Sequence, residues 1–223
     1  VTIRGVAGAT IIDGGGTQER GILLDGADYI IVENFEIRNV KQEGVKVGKR
    51  ADGDAASNDT VRNCKIHDVG LDASVAALEI GPSASNITVD ACVIDGDVYG
   101  IRASGAASTP VTGLTLTNNF VYSASQYALH LKECDVAQVV HNSFTGQSVR
   151  DGGEGTTPTE FTNNIFANFS SGSTAWSFWA TANNVYPNSN YNVFFTGKAD
   201  KKAIKWKNEP QRTLAEWQTL SGK

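Results

Sequence analysis

The 223-residue sequence predicts an all-β fold: a right-handed parallel β-helix, a three-sheet solenoid of about seven to eight coils. Three observations carry this expectation. First, Asn34, Asn63, Asn119, Asn142, Asn164 and Asn192 each stand just before a short apolar run, at steps of about 22 to 29 residues, a solenoid period. Ala91 fills the slot between Asn63 and Asn119. Second, residues 100–145 write one pattern twice. Gly-Ile-Arg-Ala, a loop, Leu-Thr-Leu-Thr-Asn-Asn and Phe-Val-Tyr are followed by Ala-Leu-His-Leu, a loop, Ala-Gln-Val-Val-His-Asn and Ser-Phe-Thr. Third, the segments leave no room for hairpins. Strands repeated in one sense must then run parallel, and parallel crossovers are almost always right-handed. A single coil cannot bury its own apolar face, so stacked coils share a core. Asparagine suits the bend because it tolerates a left-handed backbone, and stacked amides can hydrogen-bond along the pile.

Each coil is expected to hold three short strands. Residues 1–4 and 10–12 end a coil, and the Gly-rich run 13–16 is a turn. The first full coil has strands at 21–24, 29–33 and 35–39, and the second at 44–47, 60–62 and 64–67 around a polar loop at 48–59. The third has 77–80, 87–90 and 92–95, and the fourth and fifth are the repeated pair. A looser coil uses 148–150, 160–162 and 165–168, and an aromatic-rich one uses 176–180, 183–186 and 193–196. Residues 1–197 form the β-helix and 198–223 a tail of the same domain. In that tail Thr213-Leu-Ala-Glu216 is a capping box, and Leu214, Trp217 and Leu220 share one helical face, so a short helix should cover the last coil. The first coil has no such cover, which leaves upstream coils or end-to-end self-association as its expected partner.

A formal charge of −5 argues against nucleic acid as the main partner, and no apolar run reaches the length of a membrane span. Cys64 and Cys92 take the same slot, right after the asparagine position, in successive coils about one strand spacing apart. That distance admits a disulfide. Parallel side chains aim poorly at each other, however, and two buried thiols are the expected state.

The run from Gly21 through Ile37, Asn163-Asn-Ile-Phe166, and Thr213-Leu-Ala-Glu-Trp-Gln218 with Ser221-Gly222 resemble the pectate-lyase-like superfamily of secreted right-handed β-helix proteins. The resemblance implies a secreted, extracellular or cell-surface protein, with a polysaccharide groove along the first sheet. It implies no single activity, because the superfamily holds lyases, hydrolases, epimerases and non-catalytic proteins. The motifs of its pectin hydrolases and uronate epimerases do not occur here, so no catalytic set transfers.

The candidate site therefore follows from strand alternation. The inward residues of successive first strands are Ile22 and Leu24, Val45 and Val47, Leu78 and Ile80, Ile101 and Ala103, and Leu129 and Leu131. The outward ones are Leu23, Lys46, Glu79, Arg102 and His130, continued by Lys132, Arg150 and Trp179. Stacking puts neighbours in this file about 5 Å apart, within reach of one ligand. Abstracting the proton beside a uronate carboxylate needs a base, for which Lys46 or His130 qualifies. It also needs a cation, for which Arg102 qualifies, while Glu79 tunes a neighbour's pKa or binds a cation. Lys132 and Arg150 would bind substrate, Tyr99 and Tyr127 would flank the groove, and Trp179 offers a flat face to a sugar. Asp52, Asp54 and Asp59 supply oxygen ligands of the kind Ca²⁺ takes, without the spacing of an EF-hand; no other cofactor is implied. Two classes stay open. One is a β-helix that acts on or binds a polysaccharide, with an anionic uronate glycan as ligand and lyase or epimerase chemistry if it is catalytic. The other is a non-catalytic structural or adhesive solenoid of a longer surface protein or filament.

Overall fold

A computed structural model describes residues 1–49, 53–70, 75–96, 98–135, 137–146, 149–152, 159–169, 177–180, 189–196 and 204–206. It is a right-handed parallel β-solenoid in which every ladder between the three main sheets' strands is parallel. Sheet 1 stacks Ile22–Asp25, Val45–Gly48, Ala76–Ile80, Tyr99–Ser104, Tyr127–Lys132, Val149–Asp151, Phe178–Ala180 and Ile204–Trp206. Sheet 2 stacks Thr2–Arg4, Ile31–Glu33, Thr60–Arg62, Thr88–Asp90, Thr115–Thr117, Gln138–Val140 and Glu160–Thr162. Sheet 3 stacks Ile11–Asp13, Glu36–Val40, Lys65–Val69, Val93–Asp95, Phe120–Ala124, Ser143–Gly146, Ile165–Asn168 and Val193–Thr196. Among the described residues, six coils carry all three strands, and further strands continue the sheets before and after them. No described helix is long and apolar enough to cross a membrane.

The strand Ile204–Trp206 is an addition to the expected layout. It lies in the tail segment and pairs with Phe178–Ala180, so sheet 1 continues one rung past residue 197. The segment 183–186 and the expected helix over 213–220 lie outside the described residues.

The corner between sheets 2 and 3 is a single residue with a left-handed backbone. Successive coils use Asn34, Asn63, Ala91, Asn118, His141, Asn163 and Tyr191, with φ between 52° and 66°. This splits the recurring asparagine into two files. Asn34 and Asn63 occupy the bend itself. Asn119, Asn142, Asn164 and Asn192 stand one position later, stacked on Cys92 and Cys64. Their side chains turn inward. Asn119 Nδ2 donates to Asn142 Oδ1 at 2.9 Å, Asn142 Nδ2 to Asn164 Oδ1 at 3.1 Å and Asn164 Nδ2 to Asn192 Oδ1 at 3.0 Å. Each Oδ1 also accepts the backbone N–H of the preceding coil's asparagine, and each Nδ2 donates to a backbone carbonyl, so the buried amides are satisfied. The file ends at Cys92, whose N–H donates to Asn119 Oδ1 at 3.0 Å. Cys64, Cys92 and Cys134 are free, buried thiols.

The core runs down the axis as matched files. Val45, Leu78, Ile101 and Leu129 of sheet 1 are fully buried, as are Ile37, Ile66, Ile94 and Val121 of sheet 3. Towards the C-terminal end aromatic rings take over, with Phe144 stacked on Phe166 and Phe166 on Phe194 at 5.8 and 5.1 Å. Where sheet 1 begins, the chain passes so close to sheet 3 that only small residues fit. A Cβ on Gly100 would lie 2.2 Å from Val121 Cγ1 and 2.6 Å from the Ala128 carbonyl oxygen.

Candidate functional site

The inward residues expected in sheet 1 are buried, apart from the half-buried Ile22, and this fixes what faces outward. The ladder registers place Leu23, Lys46, Glu79, Arg102, His130, Arg150, Trp179 and Lys205 opposite one another in a single continuous file. The structure thus brings together Lys46, Glu79, Arg102, His130, Arg150 and Trp179. Lys132 sits two residues further along its strand, exposed and opposite Ser104. Tyr99 and Tyr127 pair with each other on the other side of the file, with ring centroids 5.9 Å apart.

From Arg102 onward the side chains of the file alternate charge and ring. Glu79 is 8% exposed, and its Oε2 accepts from Arg102 Nε at 2.6 Å. Burial pushes the Glu79 carboxyl above its usual range, against the pull of Arg102. Arg102 also lies over the Tyr99 ring, 5.0 Å from its centroid. His130 stacks on Tyr99 and lies tilted against Tyr127, with ring centroids 5.8 and 5.3 Å away, and its Nδ1 is buried without a hydrogen-bond partner. Its pKa is lowered to about 4 by burial and then by Arg150, Arg102 and Lys132, so the imidazole is neutral at pH 7. Arg150 spans the Trp179 and Tyr127 rings at 4.5 and 5.6 Å, with its Nε buried and unbonded. Tyr99 is held from the next coil by its hydroxyl, which donates to Gln126 Oε1 at 2.6 Å.

Three participants escaped sequence reasoning. Glu43, 4% exposed, lies 3.5 Å from Lys46 Nζ and 2.7 Å from Arg20 Nε, and so holds both cations at the N-terminal end of the file. Lys205 stacks on Trp179 at 4.3 Å from the next rung. The alternation Ile204-Lys205-Trp206 was the available signal for it. Gln126 carried none.

Of the metal candidates, two lie among the described residues. Asp54 is exposed, while Asp59 is buried and uses Oδ1 to accept the Ile30 N–H at 2.8 Å. Asp52 lies outside the described residues. No group of three or more His, Cys, Asp or Glu residues converges among the described ones.

This file and fold can be set beside known proteins. No curated protein matches the chain. Among solved structures, an alginate lyase from Paenibacillus sp. str. FPU-7 is similar at a TM-score of 0.59 and 16% identity, over 83% of this chain and 69% of that one. XylC, solved with xylose, is similar at a TM-score of 0.52 and 13% identity, over 76% of this chain and 28% of that one. The Agl-KA catalytic domain is similar at a TM-score of 0.51 and 17% identity, over 87% of this chain and 45% of that one. At such identities the likeness is one of fold. The model of the right-handed beta helix region matches residues 2–120, more than half of the sequence, and the chain belongs to that family.

Proposed function

We propose that the protein acts on an acidic polysaccharide lying along the outer face of sheet 1, in an extracellular setting, by proton abstraction of the lyase or epimerase type. The observation that carries this reading is the single file of Lys46, Arg102, Arg150 and Lys205, interleaved with Glu79, His130 and Trp179 and bordered by Tyr99 and Tyr127. Cations mounted on aromatic faces suit a ligand that is both charged and ring-shaped. One of the similar folds is that of an alginate lyase, and alginate is a polyuronate.

Within the file the roles divide by electrostatics. Lys46 faces the buried Glu43 carboxylate, which suits a fixed cation better than a base. His130 is neutral at pH 7 and can accept a proton. A substrate carboxylate seated on Arg102 or Arg150 would offset the cations that depress its pKa, and so raise its basicity on binding. The same arginine would then stabilise the negative charge that spreads into the carboxylate when the neighbouring proton leaves.

The test is incubation with alginate, pectate and glycosaminoglycans, following the ultraviolet absorbance of newly formed unsaturated ends and, in parallel, binding. At least one acidic glycan should bind, with Arg102→Ala weakening it by about tenfold, the worth of one charge-assisted contact. Silence in both assays, or binding indifferent to Arg102→Ala, would leave the non-catalytic structural solenoid as the better reading.

A further inference from the structure

The cations of sheet 1 do not occupy every rung. Lys46, Arg102, Arg150 and Lys205 stand on alternate rungs, and Glu79, His130 and Trp179 fill the rungs between them. The strand positions that carry neighbouring cations are therefore two strand spacings apart, about 9.6 Å. A 1,4-linked pyranose chain in its extended form advances by about one strand spacing, roughly 5 Å, per ring. Such a chain laid along the file meets one rung per sugar and one cation per two sugars.

The intervening rungs reinforce the period. Glu79 is a carboxyl already bonded to Arg102, and a second carboxylate over it would be repelled. Trp179 places an uncharged ring between Arg150 and Lys205, which cover it at 4.5 and 4.3 Å from its centroid. His130 is flanked in the same way by Arg102 and Arg150.

We infer that the ligand is an extended acidic glycan that presents one anionic group to the protein at every second sugar, the intervening sugars falling at the rungs of Glu79, His130 and Trp179. This rests on the acidic-polysaccharide reading above and narrows it. Two kinds of chain satisfy it: an alternating copolymer with one uronate per disaccharide, and a polyuronate with two-fold screw symmetry, whose carboxylates point alternately towards and away from the sheet. A three-fold chain carries its carboxylates out of phase with the cations.

Calorimetric titration with four oligosaccharides of equal length tests this: unsulfated chondroitin (alternating), oligomannuronate (two-fold), oligogalacturonate (three-fold) and a neutral cello-oligosaccharide. Chondroitin or oligomannuronate should bind about tenfold more tightly than oligogalacturonate, and the better of the two identifies the source. Arg150→Gln should weaken that ligand by about tenfold; unchanged affinity would remove the site from this file. Oligogalacturonate binding equally well or better would overturn the two-sugar period while leaving the acidic-glycan reading intact. Failure of every acidic oligosaccharide to bind would overturn both.

Discussion

At the scale of the residue, His130 is the histidine whose charged form folding disfavours. Two tyrosine rings pack against it in a triangle of rings, its Nδ1 is sealed without a partner, and three cations approach it. Folding therefore disfavours its charged form, and the sign of the pH effect follows. An unfolded histidine titrates near 6.5 and the folded one at about 4, so between these values the unfolded chain binds more protons. The stability that His130 confers as a neutral group is complete above pH 6.5 and is lost as the pH falls to about 4, at no more than roughly 1.4 kcal/mol per pH unit. Denaturant titrations at pH 7 and pH 4.5 should show a larger loss for the parent protein than for His130→Gln. Equal losses would mean that the imidazole keeps its ordinary pKa in the folded chain.

At the scale of the element, the corner between sheets 2 and 3 organises each coil, and the inward asparagine beside it ties coil to coil. Asn142 shows what the tie is worth. Its Oδ1 accepts from both the backbone N–H and the Nδ2 of Asn119, and its Nδ2 donates to the Leu116 and Val140 carbonyls and to Asn164 Oδ1. Asn142→Leu keeps the volume and strands several of these groups away from water. It should cost about 3 kcal/mol or more in chemical denaturation, because each buried orphan costs about 1–3 kcal/mol. Asn192→Leu, at the half-buried end of the file, should cost clearly less. Equal costs at the two positions would deny the amide file its role.

Much of this geometry was legible in the sequence. Strand alternation sorted inward from outward residues in sheet 1, because a two-residue period survives any uncertainty in loop length. The file through Lys46, Glu79, Arg102 and His130 followed directly from it. The asparagine rhythm was legible as a period but not as two files. A bend residue and its inward neighbour are adjacent and often both asparagine, as in Asn118-Asn119 and Asn163-Asn164, and only the ladder registers separate them. The bend also accepts Ala91, His141 and Tyr191, so residue type alone does not mark it. What sequence spacing could not convey was lateral packing. The burial of Glu79 and Glu43 and the clasp of Arg150 by rings from two neighbouring coils depend on how side chains fold over the sheet.

At the scale of the whole molecule, the local and global charges have opposite signs. The chain carries 19 Lys and Arg against 24 Asp and Glu, a formal charge of −5, while the outer file of sheet 1 is cationic. An approaching polyanion feels whichever of these the salt lets it feel. At about 0.01 M ionic strength the screening length is roughly 30 Å. That is comparable to the length of a solenoid of about eight rungs, so the net negative charge opposes the approach. At about 0.1 M the screening length shrinks to about 10 Å, and only the nearby cations remain in view. Raising the salt further weakens those contacts as well. Association with an acidic oligosaccharide, followed by stopped flow across this range, should therefore be fastest near 0.1 M rather than at the lowest salt. Combining Arg102→Ala with Arg150→Ala should lower that maximum and shift it to higher salt, because it removes two of the file's four cations and deepens the net negative charge. A rate that falls steadily from the lowest ionic strength in the parent protein would mean that the cationic file dominates at every distance, and that the negative remainder of the surface plays no part in selecting the ligand.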